Sequence, residues 1–174
     1  MTASAETVLI VGAGNELLSD EGLGTHVVRS LMAWASLPAH VEVIEAGTAL
    51  LDLVPEMARH SRVVLIDAIR AGGQPGTLYR IEIVAGSVLR TETSLPISLH
   101  QWGILETLRT AEVLGLMPRQ LTLLGAEPEA LEPGLELSAR LTRAAEEIVA
   151  ILLEEMRCGI CGRFDAGSST AVIR

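Results

Sequence analysis

A chain of 174 residues, 49% of them hydrophobic and 20% charged, is long enough to bury one sizeable core and too apolar to be disordered. Its formal net charge of −9 argues against the phosphate backbone of nucleic acid and against an anionic membrane surface as partners. With two Trp, one Tyr and one Phe, the core has to be aliphatic, which suits helices packed on a parallel sheet.

The amino terminus, MTASAETVLIVG, has neither a basic region nor an apolar stretch of signal-peptide length, and no segment reaches the roughly 18 to 20 apolar residues of a membrane span. A cytoplasmic protein is therefore expected. Val8 to Val11, a continuous apolar run closed by Gly12, predicts a parallel strand buried on both faces. The loop after it holds Gly12, Gly14, Asn15, Asp20, Glu21, Gly22 and Gly24. Ligands of open α/β sheets bind beyond the carboxyl ends of the strands, so this loop stands where chemistry is expected. A dinucleotide fingerprint would need a glycine at position 17, where the chain has Leu17, and a helix start earlier than the turn-like SDEG. The two acids would also repel a phosphate. On the simplest structural reading, Asp20 caps the next helix and Glu21 suits its first turn.

Leu23 to Leu37 has helical spacing and ends before Pro38; His26, near its start, reads as a surface or packing histidine. Val41 to Ile44 predicts the second strand, Glu45 to Thr48 a turn, and Leu50 to Ala58 a short helix that Pro55 kinks or restarts. Arg62 to Ala68 is the third and most apolar strand, and Asp67 at its end points into the crevice of the first loop. Residues 71 to 76 form a turn too short for a crossover helix, so the alternating run Thr77 to Val84 is expected to be an antiparallel edge strand. A loop over 85 to 99 leads to His100 and an amphipathic helix to about Gly115, with Ser98 as its cap. Gln120 to Gly125 predicts the fifth strand, and the acidic, proline-marked loop after it an exposed recognition surface. Ser138 caps a last helix, Ala139 to Arg157.

These elements imply one domain over residues 1 to 157 and a poorly ordered tail over 158 to 174. The expected fold is a three-layer α/β/α sandwich: a twisted, mostly parallel five-stranded sheet with one antiparallel edge strand and helices on both faces. Cys158 and Cys161 in the tail supply half of a closed zinc site and lie too close to the carboxy terminus to staple the fold. Their surroundings resemble a nickel-binding cysteine motif of hydrogenase large subunits.

Glu21, Asp67 and His100 converge on one sheet edge. Two carboxylates and an imidazole suit a divalent metal such as nickel or zinc with open positions. No HExxH helix, GxSxG elbow or Cys-His constellation points to the common protease mechanisms.

Gly14-Asn15-x-Leu17-x-x-Asp20-Glu21-Gly22-x-Gly24 resembles the amino-terminal signature of the hydrogenase maturation endopeptidases, which remove a short carboxy-terminal extension from the large subunit of nickel-iron hydrogenases. The likeness runs on through the strand ending in Asp67, SLHQWG around His100, and Gly125-Ala126-x-Pro128-Glu129-x-x-Glu132-Pro133-Gly134, covering roughly residues 7 to 155. It departs at Ala46-Gly47-Thr48-Ala49-Leu50, where the family often has GGT-x-G. The resemblance implies an endopeptidase whose Glu21, Asp67 and His100 engage nickel carried by the precursor, with no nucleotide and with Asp20 as a candidate for proton transfer. The implied partner is a nickel-iron hydrogenase large-subunit precursor, met by a monomeric enzyme. Two other functions fit the residues: a nickel-binding checkpoint or chaperone that cuts nothing, and a nucleotide-dependent α/β enzyme.

Overall fold

A computed structural model describes residues 7–34, 36–86, 88, 102–157 and 171–173. Ser98, His100, Cys158 and Cys161 lie outside the described residues.

The apolar runs form the strands the sequence predicts, three of them extended by one to three residues and β4 one residue shorter at each end: β1 (Val8–Ala13), β2 (Val41–Gly47), β3 (Arg62–Ala68), β4 (Leu78–Ile83) and β5 (Gln120–Ala126). Four helices accompany them: α1 (Leu23–Met32), α2 (Val54–Met57), α3 (Trp102–Val113) and α4 (Ala139–Arg157). The strand order is β2-β1-β3-β5-β4, with a three-residue β6 (Ala171–Ile173) outside β4. Strands β2, β1, β3 and β5 are mutually parallel. Strand β4 is antiparallel to β5, and β6 is parallel to β4.

Every residue of β3 is buried, because alternate side chains feed two separate cores. On one face Val64 and Ile66 join Val8, Ile10 and Leu124 beneath α1 and α4, against Val27, Leu31, Leu141 and Ile148. On the other, Val63 and Leu65 join Leu9, Val11 and Leu123, against Met57 of α2 and Ile104 and Leu108 of α3. The scarcity of aromatic residues is met by these interdigitated branched aliphatic side chains.

Three expectations are corrected. The antiparallel strand does not lie at the sheet edge beside β3: β5 is inserted between β3 and β4, and β6 covers the outer side of β4. The short link excluded a crossover helix, but strand adjacency is decided by which neighbour completes the ladder, and β5 arrives later in the chain. Residues 171–173, expected to be part of a poorly ordered tail, form that sixth strand. Helix α1 stops at Met32 rather than near Leu37; Leu31 is fully buried whereas Met32 and Trp34 are 46% and 54% exposed, so the packing that sustains the helix ends there. Pro55 restarts the short helix as expected: residues Leu50–Leu53 form a 3-10 turn and the proline occupies the first turn of α2, where its missing N–H is not needed.

Among the described residues, no helix is long and apolar enough to cross a membrane.

Candidate active site

The chain places its acids at the sheet's topological switch point. The β1–α1–β2 connection packs on one face of the sheet and β2–α2–β3 on the other, and β2 and β3 flank β1 on opposite sides. A crevice therefore opens between the carboxyl ends of β1 and β3, the position where open α/β sheets bind ligands. Glu21 comes from the loop after β1 and Asp67 from the end of β3, and the two line one cleft with Gly14, Ala68, Arg70, Pro128 and Leu131.

Close backbone approach brings them together. At Gly24, the first turn of α1 lies against the backbone oxygens of Ala13 and Ile66, where a Cβ would have no room. Gly14 has φ +117°, and a Cβ there would fall on the backbone oxygen of Glu21 and close to Asp67 Oδ1. The glycines of the first loop thus act as spacers that let the Glu21 loop settle onto the end of β3.

Asp67 is 9% exposed. Burial in this site pushes its carboxyl up to about 7; the neighbouring Glu21 charge adds to the rise, and the Ala68 N–H, donating to Oδ1 at 2.8 Å, opposes it. A carboxyl poised near neutrality can hold a proton or release it to a base or to an arriving cation. Arg70 contributes the only cationic side chain among the described residues of the lining.

Asp20 is placed differently from what its candidacy for proton transfer requires. It is fully buried, does not line the cleft, and both of its oxygens are engaged. Oδ2 accepts the N–H groups of Glu129 and Ala130, each at 2.8 Å, and Oδ1 accepts that of Ser138 at 2.7 Å. Nor does it cap α1, whose start has no side-chain cap. Instead it ties the 128–138 loop to the Glu21 loop. Ser19 strengthens the tie: its Oγ donates to the Glu132 carbonyl at 2.9 Å and its N–H to the Gly134 carbonyl at 2.8 Å, from a backbone held at φ +48°. Leu17 accepts from the Gly134 N–H at 2.9 Å. The acidic loop expected as an exposed recognition surface is fastened along one side, and supplies Pro128 and Leu131 as one wall of the cleft.

A second buried acid, Glu127, fixes the wall that carries Arg70. Its carboxylate accepts the N–H groups of Ala71, Gly72 and Gly73 and the hydroxyl of Tyr79 at 2.7 Å. Burial, followed by this hydrogen bond, pushes the Tyr79 hydroxyl up to about 12. Sequence reasoning passed over Glu127 and Arg70. The signal for Glu127 was weak: an acid directly after a buried strand, 54 residues from the glycine turn it closes. His26, in contrast, sits where a surface histidine was expected, with Nε2 3.3 Å from the Leu135 carbonyl. His100 lies outside the described residues, so the structure brings together Glu21 and Asp67 of the three expected ligands.

Comparison with known proteins agrees with this architecture. The family model described as hydrogenase maturation protease matches residues 25–155. The hydrogenase 2 maturation protease of Escherichia coli is 35% identical over 152 residues, which cover 84% of this chain and 91% of that protein. The hydrogenase expression/formation protein HupD of Rhodobacter capsulatus is 32% identical over 153 residues, 87% of this chain and 72% of its own. Among solved structures, the hydrogenase maturating endopeptidase HybD from E. coli superposes with a TM-score of 0.74 at 32% identity, over 88% of this chain and 93% of that one. On the strength of the family match and these relatives, the chain belongs to the hydrogenase maturation protease family and is an endopeptidase.

Proposed function

We propose that this endopeptidase removes the carboxy-terminal extension of a nickel-iron hydrogenase large-subunit precursor in the cytoplasm, and that it acts only on precursor already carrying nickel. The substrate class follows from the names of the relatives, which are hydrogenase maturation proteases. The observation that carries the nickel gate is the pairing of Glu21 with the buried Asp67 at the switch-point crevice. Two carboxylates in a site that resists a second negative charge are relieved by a divalent cation, and the substrate's nickel supplies one. His100 joins them as the third ligand in this reading, from its place in the SLHQWG motif. Nickel bound this way sets the precursor's chain across the cleft and polarises the peptide carbonyl. The Asp67 carboxyl, near neutrality without the ion, gives up its proton as it becomes a ligand. Asp20 takes no part in the step, since its oxygens hold the loop.

Mass spectrometry of a large-subunit precursor, incubated with the enzyme with and without prior nickel loading, tests the proposal. Loss of a defined carboxy-terminal peptide is expected only in the nickel-loaded reaction, and is expected to vanish with Glu21→Gln. Equal cleavage with and without nickel would refute the gate. An intact precursor that still binds nickel through Glu21 would make the site a checkpoint instead.

A further inference from the structure

A second group of metal-binding side chains lies away from the cleft. Glu42 near the start of β2, Glu56 in α2 and His60 in the turn before β3 each offer one ligand atom, and these atoms lie within 4.8 Å of one another. In the sheet, Glu42 and Val63 both pair with Leu9, so the group sits at a level four residues, about 13 Å, back along β3 from Asp67. It is therefore separate from the site at the carboxyl ends.

The histidine gives the group its direction. The His60 side chain is 9% exposed, and its Nδ1 lies 3.0 Å from the backbone carbonyl of Glu56. A carbonyl only accepts, so Nδ1 carries the hydrogen. In neutral imidazole that leaves Nε2 as a bare lone pair. Yet Nε2 faces another acceptor, Glu42 Oε2, at 3.4 Å. A lone pair aimed at a carboxylate is relieved by a positive charge between the two, either a proton on the imidazole or a metal ion. A separation of 3.4 Å is also that of two ligands each about 2.0 to 2.1 Å from one tetrahedral ion. Glu56 brings a carboxylate oxygen within 4.8 Å of the other two ligand atoms, and Arg59 holds its Oε2 at 3.0 Å. The carbonyl that fixes the imidazole tautomer plays the part that outer-shell acceptors play behind histidine ligands of metals.

We propose that Glu42, Glu56 and His60 form a second cation site that takes a borderline divalent transition metal such as zinc, with water in the remaining position. One imidazole and two carboxylates suit such an ion better than calcium or magnesium, which take oxygen ligands alone. Because the ligands come from β2, α2 and the turn before β3, the ion fastens the outer strand β2 to the element that connects it to β3. This site is independent of the proteolytic reading.

Zinc binding to the full chain tests the proposal, with Glu21→Gln, Asp67→Asn, Cys158→Ser and Cys161→Ser introduced together to remove the cleft acids and the tail thiols. One equivalent of zinc is expected to bind at pH 8 and to raise Tm. Adding Glu42→Gln, an exposed position whose change leaves the fold intact, is expected to weaken binding at least tenfold and to abolish the Tm rise. His60→Gln is expected to do the same, with circular dichroism confirming that it folds. If zinc binds equally well to the Glu42→Gln form, or not at all to the parent, the group holds only a proton and the proposal is overturned.

Discussion

At the scale of single residues, the cleft trades stability for chemistry at Asp67. In the unfolded chain its carboxyl titrates near 3.8, and in the fold near 7. Between those values the folded state binds more protons than the unfolded one, so stability falls as pH rises from about 4 to about 7, by on the order of 4 kcal/mol in all. Asp67→Asn removes this dependence. The variant is expected to be inactive yet to melt above wild type at pH 8, with the two melting curves converging near pH 4; equal melting temperatures at pH 8 would show that the carboxylate is not penalised. Gly14 makes a sharper steric demand. Gly14→Ala places a methyl group on the backbone oxygen of Glu21 at a φ that only glycine adopts readily, so Tm should fall by the equivalent of about 1–3 kcal/mol and cleavage should be lost with it. Glu21 and Asp67 were legible in the sequence because each ends or follows an apolar strand run. Gly14 was legible only as one of several loop glycines, since what it must avoid, the Glu21 backbone oxygen and Asp67 Oδ1, is brought there by the fold.

The elements that carry these residues are held by buried acids rather than by extra apolar packing. Asp20→Ala would strand the N–H groups of Glu129, Ala130 and Ser138 without their shared acceptor. A loss of about 3–5 kcal/mol is expected, together with faster amide exchange confined to residues 128–138. A base in the reaction would behave otherwise, because its removal slows catalysis without loosening that loop. Adjacent acids in one turn thus do different work: Glu21 faces the cleft and Asp20 faces away. Their order in sequence did not reveal which was which, because the 3-10 turn Ser19–Gly22 sets the side-chain directions and its geometry depends on the long-range bonds to Gly134 and Ala130. The same reason hid the neighbour of β4. Alternation along Leu78–Ile83 predicted a strand, but the β5 ladder that pairs with it comes from residues about 40 positions later.

For the whole molecule, both cores draw on β3, so the two faces of the sheet should melt together. Among the described residues, removing 158–174 uncovers the outer side of β4, where three residue pairs are made. That edge keeps its own guards: Arg80 pairs with Glu82 at 3.0 Å and with Glu155 of α4 at 2.8 Å, which disfavours edge-to-edge association. The truncated chain is expected to unfold in one cooperative step, within about 1 kcal/mol of the full chain, and to keep its cleavage activity. Leu65→Ala, in contrast, removes a fully buried side chain from the central strand and should cost about 2–5 kcal/mol in either background. Calorimetry of the four proteins decides between one folding unit and two. A second transition appearing only in the full chain, or a Leu65→Ala cost that changes on truncation, would mean that the tail is part of the domain and that its strand helps to hold the sheet.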